Sequence, residues 1–167
     1  MGARRKIESQ PKQHDYNLAQ TPHSMKTVHK SVLIWFSAEE MFQLVTDLPR
    51  YPEFLPWCDR ASIVTQNADG VDAQIGMHLA GFKKSFTTRN KHQLNQRIQL
   101  LLIDGPFKHL DGDWEFIPVD GQRACRVNLT LNYSFESMFG ALVGPLFDKI
   151  ASTLIDAFVK RAEQIYT

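Results

Sequence analysis

The sequence predicts an α+β domain in which a curved antiparallel β-sheet wraps around a long C-terminal α-helix, with two short helices after the first strand. In the segment Arg126–Phe135, large apolar residues alternate with polar ones, which is typical of a strand with one buried face. Several Asp-Gly pairs favour hairpin turns between such strands. An apolar stripe at helical spacing from about Phe139 to Tyr166 predicts the long helix.

The composition suits one globular domain with a large apolar interior. The chain has 167 residues, of which 11 are phenylalanines, and these suit either a Phe-rich core or an apolar cavity. A formal net charge of +1 argues against DNA as a partner. The cysteines Cys58 and Cys125 match no disulfide framework or zinc motif and favour a cytoplasmic setting. No uninterrupted apolar run reaches the length of a membrane span.

The first 24 residues differ from the rest of the chain. A basic cluster at residues 4–6 is followed by polar residues with few large apolar side chains. Such a segment buries too little apolar surface to offset its ordering entropy. We expect residues 1–24 to form a disordered extension and residues 25–167 to form the folded domain. An upstream start codon, with Met25 as the first residue of that domain, would explain the extension.

The next segment predicts a strand followed by two short helices. Apolar residues share one parity in Lys26–Phe36, which indicates a half-buried strand. Ser37 and Glu40 then match a capping box and begin a helix that ends near Thr46. Prolines limit the following segment to one or two rigid helical turns. These prolines are Pro49, Pro52 and Pro56.

The middle of the chain predicts a series of hairpin strands. The expected strands are Ser62–Thr65, Val71–Leu79, Phe82–Lys91, Arg97–Ile103, His109–Pro118 and Arg126–Phe135. Four pairs mark candidate turns, since both residues tolerate positive φ. They are Asp69-Gly70, Asp104-Gly105, Asp111-Gly112 and Asp120-Gly121. The absence of strand–helix–strand spacing argues against a parallel doubly wound sheet.

The C-terminal helix should have a broad apolar face that contacts a concave sheet. Its apolar residues are Val143, Leu146, Phe147, Ile150, Leu154, Ile155, Phe158, Val159, Ala162 and Ile165. A sheet wrapped around such a helix leaves an elongated apolar space, where ligand pockets form. Gly140, Gly144 and Pro145 predict a kink or a break near the start of the helix.

Signals of catalysis are weak. The chain has no nucleophile elbow, phosphate-binding loop, dinucleotide fingerprint or zinc-protease motif. His78, His92 and His109 lack metal-ligand spacing, and Cys58 lies in an apolar segment that is typical of a buried thiol. We therefore expect a non-enzymatic protein that requires no metal or cofactor.

Two long segments carry a more specific signal. The first is Tyr51–Cys58, and the second is Asp104–Leu110 followed by Trp114-Glu115-Phe116. Both resemble signatures of the coenzyme Q-binding, START-like family within the polyketide cyclase/dehydrase superfamily. Phe86–Asn90 and the C-terminal segment from Ala157 to Tyr166 also agree. The resemblance covers about Met25 to Thr167.

The resemblance implies a helix-grip fold with a lipophilic cavity, so that residues 25–167 are a START-like ligand-binding domain. Mitochondrial members are linked to ubiquinone binding and respiration. A bacterial branch contains ribosome-association toxins, described as binding the large ribosomal subunit and blocking subunit joining. We expect a carrier of ubiquinone or a similar isoprenoid lipid, cytoplasmic and able to contact the inner membrane transiently. The alternatives are a ribosome-binding toxin and, third, an enzyme like a polyketide cyclase or aromatase.

The candidate ligand-binding residues are large apolar side chains of the expected lid, sheet and helix. They are Tyr51, Phe54, Leu55 and Trp57; then Phe86, Phe107, Trp114, Phe116, Leu129, Leu131 and Tyr133; and then Phe147, Ile150, Leu154 and Phe158. The proline-rich segment suits a rigid aromatic lid, and equally a plug that completes the core. The sheet and helix residues suit cavity walls or ordinary core.

Ribosome binding has its own candidate residues. Two neighbouring strands have a basic tendency, given by Lys83, Lys84, Arg89, Lys91 and Arg97. Of these, Lys83, Lys84 and Arg89 would contact phosphates of ribosomal RNA. The same residues also suit a solvated face of the sheet. Because the chain has no aromatic RNA-binding platform or zinc knuckle, the sequence favours the solvated face.

Overall fold

The computed structural model describes residues 25–166, so the expected disorder of residues 1–24 lies outside the described part. The strands are β1 (Lys26–Ile34), β2 (Cys58–Asn67), β3 (Gly70–Leu79), β4 (Phe82–Gln93), β5 (Arg97–Asp104), β6 (Phe107–Pro118) and β7 (Cys125–Phe135). The helices are α1 (Ala38–Thr46), a 3₁₀ helix (Leu48–Glu53) and α2 (Ser137–Ile165).

The strands form one antiparallel sheet in the order β1-β7-β6-β5-β4-β3-β2. Successive hairpins connect β2 to β7, and β1 pairs with β7 at one edge. The connection through α1 and the 3₁₀ helix therefore leads from one edge strand to the other. The concave face of the sheet packs against α2, and the hydrophobic core lies between them. The predicted fold class is confirmed.

The predicted capping box begins α1. Ser37 Oγ accepts a hydrogen bond from Glu40 N at 3.1 Å, and Ser37 N donates to Glu40 Oε2 at 2.7 Å. Glu40 also forms an ion pair with Arg123 in the β6–β7 turn. The Tyr166 hydroxyl donates to Glu40 O at 2.9 Å. One capping residue thus connects α1 to the sheet and to the end of α2.

One predicted turn is wrong. Asp111-Gly112 lies inside β6, whereas the other three Asp-Gly pairs lie at or beside turns. A Cβ atom at Gly112 would approach Leu131 Cδ2 to 2.7 Å and Thr130 O to 3.1 Å, so the glycine allows close packing on β7 instead of a turn. The hairpins β3–β4 and β4–β5 instead turn through Ala80-Gly81 and Asn95, all with positive φ.

Helix α2 continues through Pro145 without the predicted break. Neighbouring side chains at Val143 and Phe147 are buried against the sheet, which stabilises the helix on both sides of the proline. The predicted apolar face is too wide, because the sheet covers only one side of α2. Leu146 and Ile165 are therefore exposed.

Helix α2 is also long and apolar enough, by length and composition alone, to cross a bilayer. This corrects the expectation drawn from uninterrupted apolar runs. Its buried residues Val143, Phe147, Ala151, Phe158 and Ala162 pack in the protein core. Part of the apolar surface of α2 therefore packs against the core of the folded domain.

Candidate ligand-binding cavity

A cavity lies between the concave face of the sheet, the proline-rich segment and α2. Its volume is about 100 Å³, and the protein-free space that includes its open mouth is about 880 Å³. Because an apolar cavity of about 150 Å³ binds benzene, the enclosed part is on the scale of one small ring. A longer ligand would have to extend through the mouth.

Ten predicted residues line this cavity, and they come from every element that was expected to contribute. They are Tyr51, Leu55, Trp57, Phe86, Trp114, Leu131, Phe147, Ile150, Leu154 and Phe158. The lining is predominantly apolar and aromatic, as in most small-molecule sites. The role of these residues in ligand binding stays a prediction.

The other five predicted residues lie outside the lining. Phe107 stacks on Phe135 with ring centroids 4.8 Å apart, and it is buried in an aromatic cluster near the start of α2. Phe116 packs edge-on against Phe42 of α1 at 5.7 Å. Leu129 is fully buried between these layers. These three residues belong to the solid core and do not form a cavity wall.

The remaining two attach α2 to its neighbours. Tyr133 turns its hydroxyl to Asp148 of α2. Phe54 packs against Phe158 at 5.1 Å and lies beneath the Arg161 guanidinium at 5.3 Å. Both aromatic rings therefore stabilise the position of the helix that closes the cavity.

The proline-rich segment covers the cavity and completes the core at the same time. Tyr51, Leu55 and Trp57 contribute to the lining, while Leu55 is almost completely buried. The Tyr51 hydroxyl donates a hydrogen bond to Val45 O, and burial raises the pKa of this phenol, so it remains a donor. Glu53 pairs with Arg161 of α2. The cover is thus fixed to both helices.

The cavity also has residues that sequence reasoning did not select. The apolar ones are Val45, Leu48, Ala73, Ile75, Ile98, Leu100, Leu110 and Ala151, and the polar ones are Thr46, Thr88, Asn90 and His92. Three of the polar residues share the parity of Phe86 along β4. That alternation is visible in the sequence and placed Thr88 on the same face as Phe86, but only large apolar residues were selected as candidates for the cavity.

One of the three predicted basic residues is engaged in an ion pair. Arg89 makes a two-bond ion pair with Asp72, with N–O distances of 3.0 and 3.1 Å, and this guanidinium lowers the pKa of the carboxyl. Lys83 and Lys84 are exposed and form no ion pair within residues 25–166. The basic residues of β4 without an ion pair among residues 25–166 are therefore Lys83 and Lys84, which are consecutive near the β3–β4 turn and point to opposite faces of the sheet.

Groups for metal or thiol chemistry are sparse in the described part of the chain. No cluster of three or more His, Cys, Asp or Glu residues lies within reach of one metal ion among residues 25–166. Cys58 and Cys125 are free and buried, and burial raises the pKa of each thiol to about 11. Both thiols are therefore protonated and unreactive near neutral pH.

This geometry, a curved antiparallel sheet closed by a long helix over an apolar cavity, defines a START-like ligand-binding fold. Residues 34–159 match the family model described as polyketide cyclase/dehydrase and lipid transport. The chain belongs to this family.

Curated relatives connect the fold to two kinds of protein. The ribosome association toxin RatA of Vibrio cholerae is 43% identical over 143 residues, which cover 85% of this chain and 99% of the relative. The mitochondrial coenzyme Q-binding protein COQ10 homolog B of Xenopus laevis is 25% identical over 141 residues, covering 82% of this chain and 58% of the relative. Their names describe association and binding and do not describe a reaction.

A solved structure extends the comparison to enzymes. The Zhui aromatase/cyclase from a Streptomyces species superimposes with a TM-score of 0.70, covering 86% of this chain and 97% of that chain. At 16% sequence identity this likeness shows the fold alone. The fold is therefore shared by a cyclase and by proteins that are named for association or binding.

Proposed function

We propose that the protein binds a polyprenyl quinone, ubiquinone or a close relative, without transforming it. The observation that carries this proposal is the apolar cavity between the sheet and α2, covered by Tyr51, Leu55 and Trp57. The protein would act as a cytoplasmic carrier that exchanges its ligand at the inner membrane. The likeness to a coenzyme Q-binding protein supports this choice of ligand.

The cavity dimensions suggest how such a ligand would lie. The volume of about 100 Å³ is smaller than the about 150 Å³ of a cavity that binds benzene, so a substituted quinone ring would also occupy part of the mouth, through which the isoprenoid tail would leave. Transfer of apolar surface from water contributes about 25 cal/mol per Å², so ring and proximal tail together supply a substantial driving force without chemistry. The proline-rich segment is held by Arg161, which pairs with Glu53, and by Val45 O, which accepts a hydrogen bond from Tyr51, so little ordering is needed on binding.

The first test is native mass spectrometry of the freshly purified protein, followed by solvent extraction and lipid analysis. We expect a quinone bound at near one-to-one stoichiometry. A protein that is empty, and remains empty after incubation with ubiquinone, would contradict the proposal.

Tryptophan fluorescence gives an independent measurement. Trp57 and Trp114 line the cavity, whereas Trp35 is 69% exposed and lies outside it. In a Trp35→Phe variant, quinone binding should quench the remaining fluorescence in a saturable way. The variant Trp35→Phe/Trp114→Phe leaves Trp57 alone and so separates the quenching of Trp57 from that of Trp114.

A second candidate function is association with the large ribosomal subunit. The observation that favours it is 43% identity to a ribosome association toxin over 99% of that relative. Lys83 and Lys84 would contribute electrostatic contacts to RNA phosphates, whereas Arg89 is occupied by Asp72.

Cosedimentation with purified large subunits tests this second function. We expect a salt-sensitive association that weakens in Lys83→Ala/Lys84→Ala and changes little in Arg89→Ala. Lys149→Ala/Lys160→Ala, at two exposed positions of α2, is the matched control for the loss of two charges. Unchanged cosedimentation of the double variant would contradict a basic contact on β4.

A further inference from the structure

The inner face of β4 changes from apolar to polar along its length. Phe86, Thr88, Asn90 and His92 alternate along the strand, and all four line the cavity. Thr88 and Asn90 are only 4% and 7% exposed. Polar side chains buried to this degree normally have hydrogen-bond partners, so their presence in an apolar cavity needs an explanation.

The hydrogen bonds of this polar row are incomplete. Thr88 Oγ1 donates to Asn90 Oδ1 at 2.7 Å, which uses one half of the Asn90 amide. Asn90 Nδ2 makes no hydrogen bond within residues 25–166. This nitrogen is not fully buried, so a ligand in the cavity can reach it. In either orientation of the amide, one of its two polar atoms stays available in the cavity.

His92 continues the row toward α1. Its ring packs edge-on against Phe42 with centroids 5.7 Å apart, and its nitrogens form no hydrogen bond within the described chain. Burial lowers the pKa of His92, with the Asp69 carboxylate acting in the opposite direction. The ring is therefore neutral near pH 7 and offers one N–H donor and one acceptor nitrogen.

The surroundings of this row are apolar. Asn90 pairs in register with Leu100, and His92 pairs with Ile98 of β5, both of which line the cavity. Across the cavity, α2 presents Ile150 and Leu154. The cavity therefore has a polar row on β4, beside apolar residues of the neighbouring strand β5 and opposite apolar residues of α2.

We propose that Thr88, Asn90 and His92 form a polar subsite that selects ligands whose ring carries hydrogen-bonding oxygen atoms. Asn90 and His92 lie two residues apart, roughly 7 Å along a strand, which matches the scale of a six-membered ring with oxygens at opposite positions. The hydrocarbon part of the same ligand contacts β5 and α2. This inference rests on the proposed ligand-binding function and specifies the chemical class of the ligand.

The test compares two probes with the same tail, a decyl-substituted 1,4-benzoquinone and decylbenzene. Affinities are measured by calorimetry for the intact chain and for Asn90→Leu, which keeps the branching and the number of side-chain heavy atoms. We expect quinone affinity to fall about tenfold, or about 1.4 kcal/mol, while decylbenzene affinity is unchanged. Thr88→Val should weaken quinone binding less, because the Asn90 amide remains.

Each other outcome has a defined meaning. If the unmodified protein binds both probes equally, the cavity binds ligands but the polar subsite is refuted. If Asn90→Leu weakens both probes equally, Asn90 has a structural role and the inference is overturned. If neither probe binds the unmodified protein, the proposed function and this inference both fail. Circular dichroism and melting curves establish that the variants are folded.

Discussion

The Tyr133 hydroxyl in β7 donates a hydrogen bond to Asp148 Oδ1 in α2 at 2.6 Å. Asp148 also pairs with Lys26 of β1, so one carboxylate holds the helix against two strands. Burial, followed by the nearby Asp148 carboxylate, raises the pKa of Tyr133, which keeps its hydroxyl a donor. A residue predicted to contact ligand therefore fixes the helix that closes the cavity.

Replacing Tyr133 by Phe should lower the free energy of unfolding by about 1–2 kcal/mol, since a hydrogen bond to a charged group is lost. Urea denaturation of Tyr133→Phe, Asp148→Ala and the double variant measures the coupling between the two residues. Additive effects would show that the hydrogen bond contributes nothing of its own.

Filling the cavity should abolish ligand binding without unfolding the protein. Ala151 lies on α2 in the cavity lining and is fully buried. We expect Ala151→Leu to eliminate quinone binding, with a change in stability of about 1–3 kcal/mol from overpacking. Ala141→Leu, at an exposed position of the same helix, is the matched control and should bind normally. Normal binding by a folded Ala151→Leu protein would refute the cavity as the site.

Two glycines should respond oppositely to alanine. At Gly112 a new Cβ atom would clash with Leu131, so we expect Gly112→Ala to lower the free energy of unfolding by about 1–3 kcal/mol. At Gly144 in α2 a Cβ atom would meet nothing within 4 Å, so the variant should gain about 0.5–1 kcal/mol. Chemical denaturation measures the change in the free energy of unfolding for each variant. No change in Gly112→Ala would contradict the packing explanation.

Removing the N-cap of α1 should destabilise the domain. Ser37→Ala leaves the Glu40 N–H without its partner and should lower the free energy of unfolding by about 1 kcal/mol. Gln43→Ala, on the exposed side of α1, should change it by less than about 0.5 kcal/mol. Thermal melts of the two variants make the comparison, and equal effects would exclude a specific role for the cap.

The two thiols should be inert in the folded state. Because burial raises the pKa of Cys58 and Cys125 from 9.0 to about 11, a thiol-reactive disulfide reagent at pH 8 should label neither residue without denaturant. The unfolded thiols lose protons above pH 9 while the folded ones stay protonated, so stability should fall between pH 9 and 11. Cys58→Ala/Cys125→Ala should show a smaller fall, and rapid labelling of the native protein would contradict the burial.

The elements with strong local signals were predictable from the sequence. Alternation in Arg126–Phe135 identified β7, and Ser37 with Glu40 identified the start of α1. The error at Asp111-Gly112 arose because a glycine that permits close contact with Leu131 has the same local signature as a turn glycine. The local sequence shows that a glycine is present, but only the neighbouring strand shows whether the glycine serves a turn or a close contact.

The sequence by itself determined the fold class, the inward faces of the strands and ten of the cavity residues, since alternation and helical spacing are local properties of the chain. Only the tertiary structure decided that Tyr133 holds Asp148, that Arg89 is neutralised by Asp72, and that Asn90 and His92 face an apolar cavity. These facts depend on pairs of residues far apart in sequence. Their contacts are fixed by strand register and by the position of α2, which no local pattern contains.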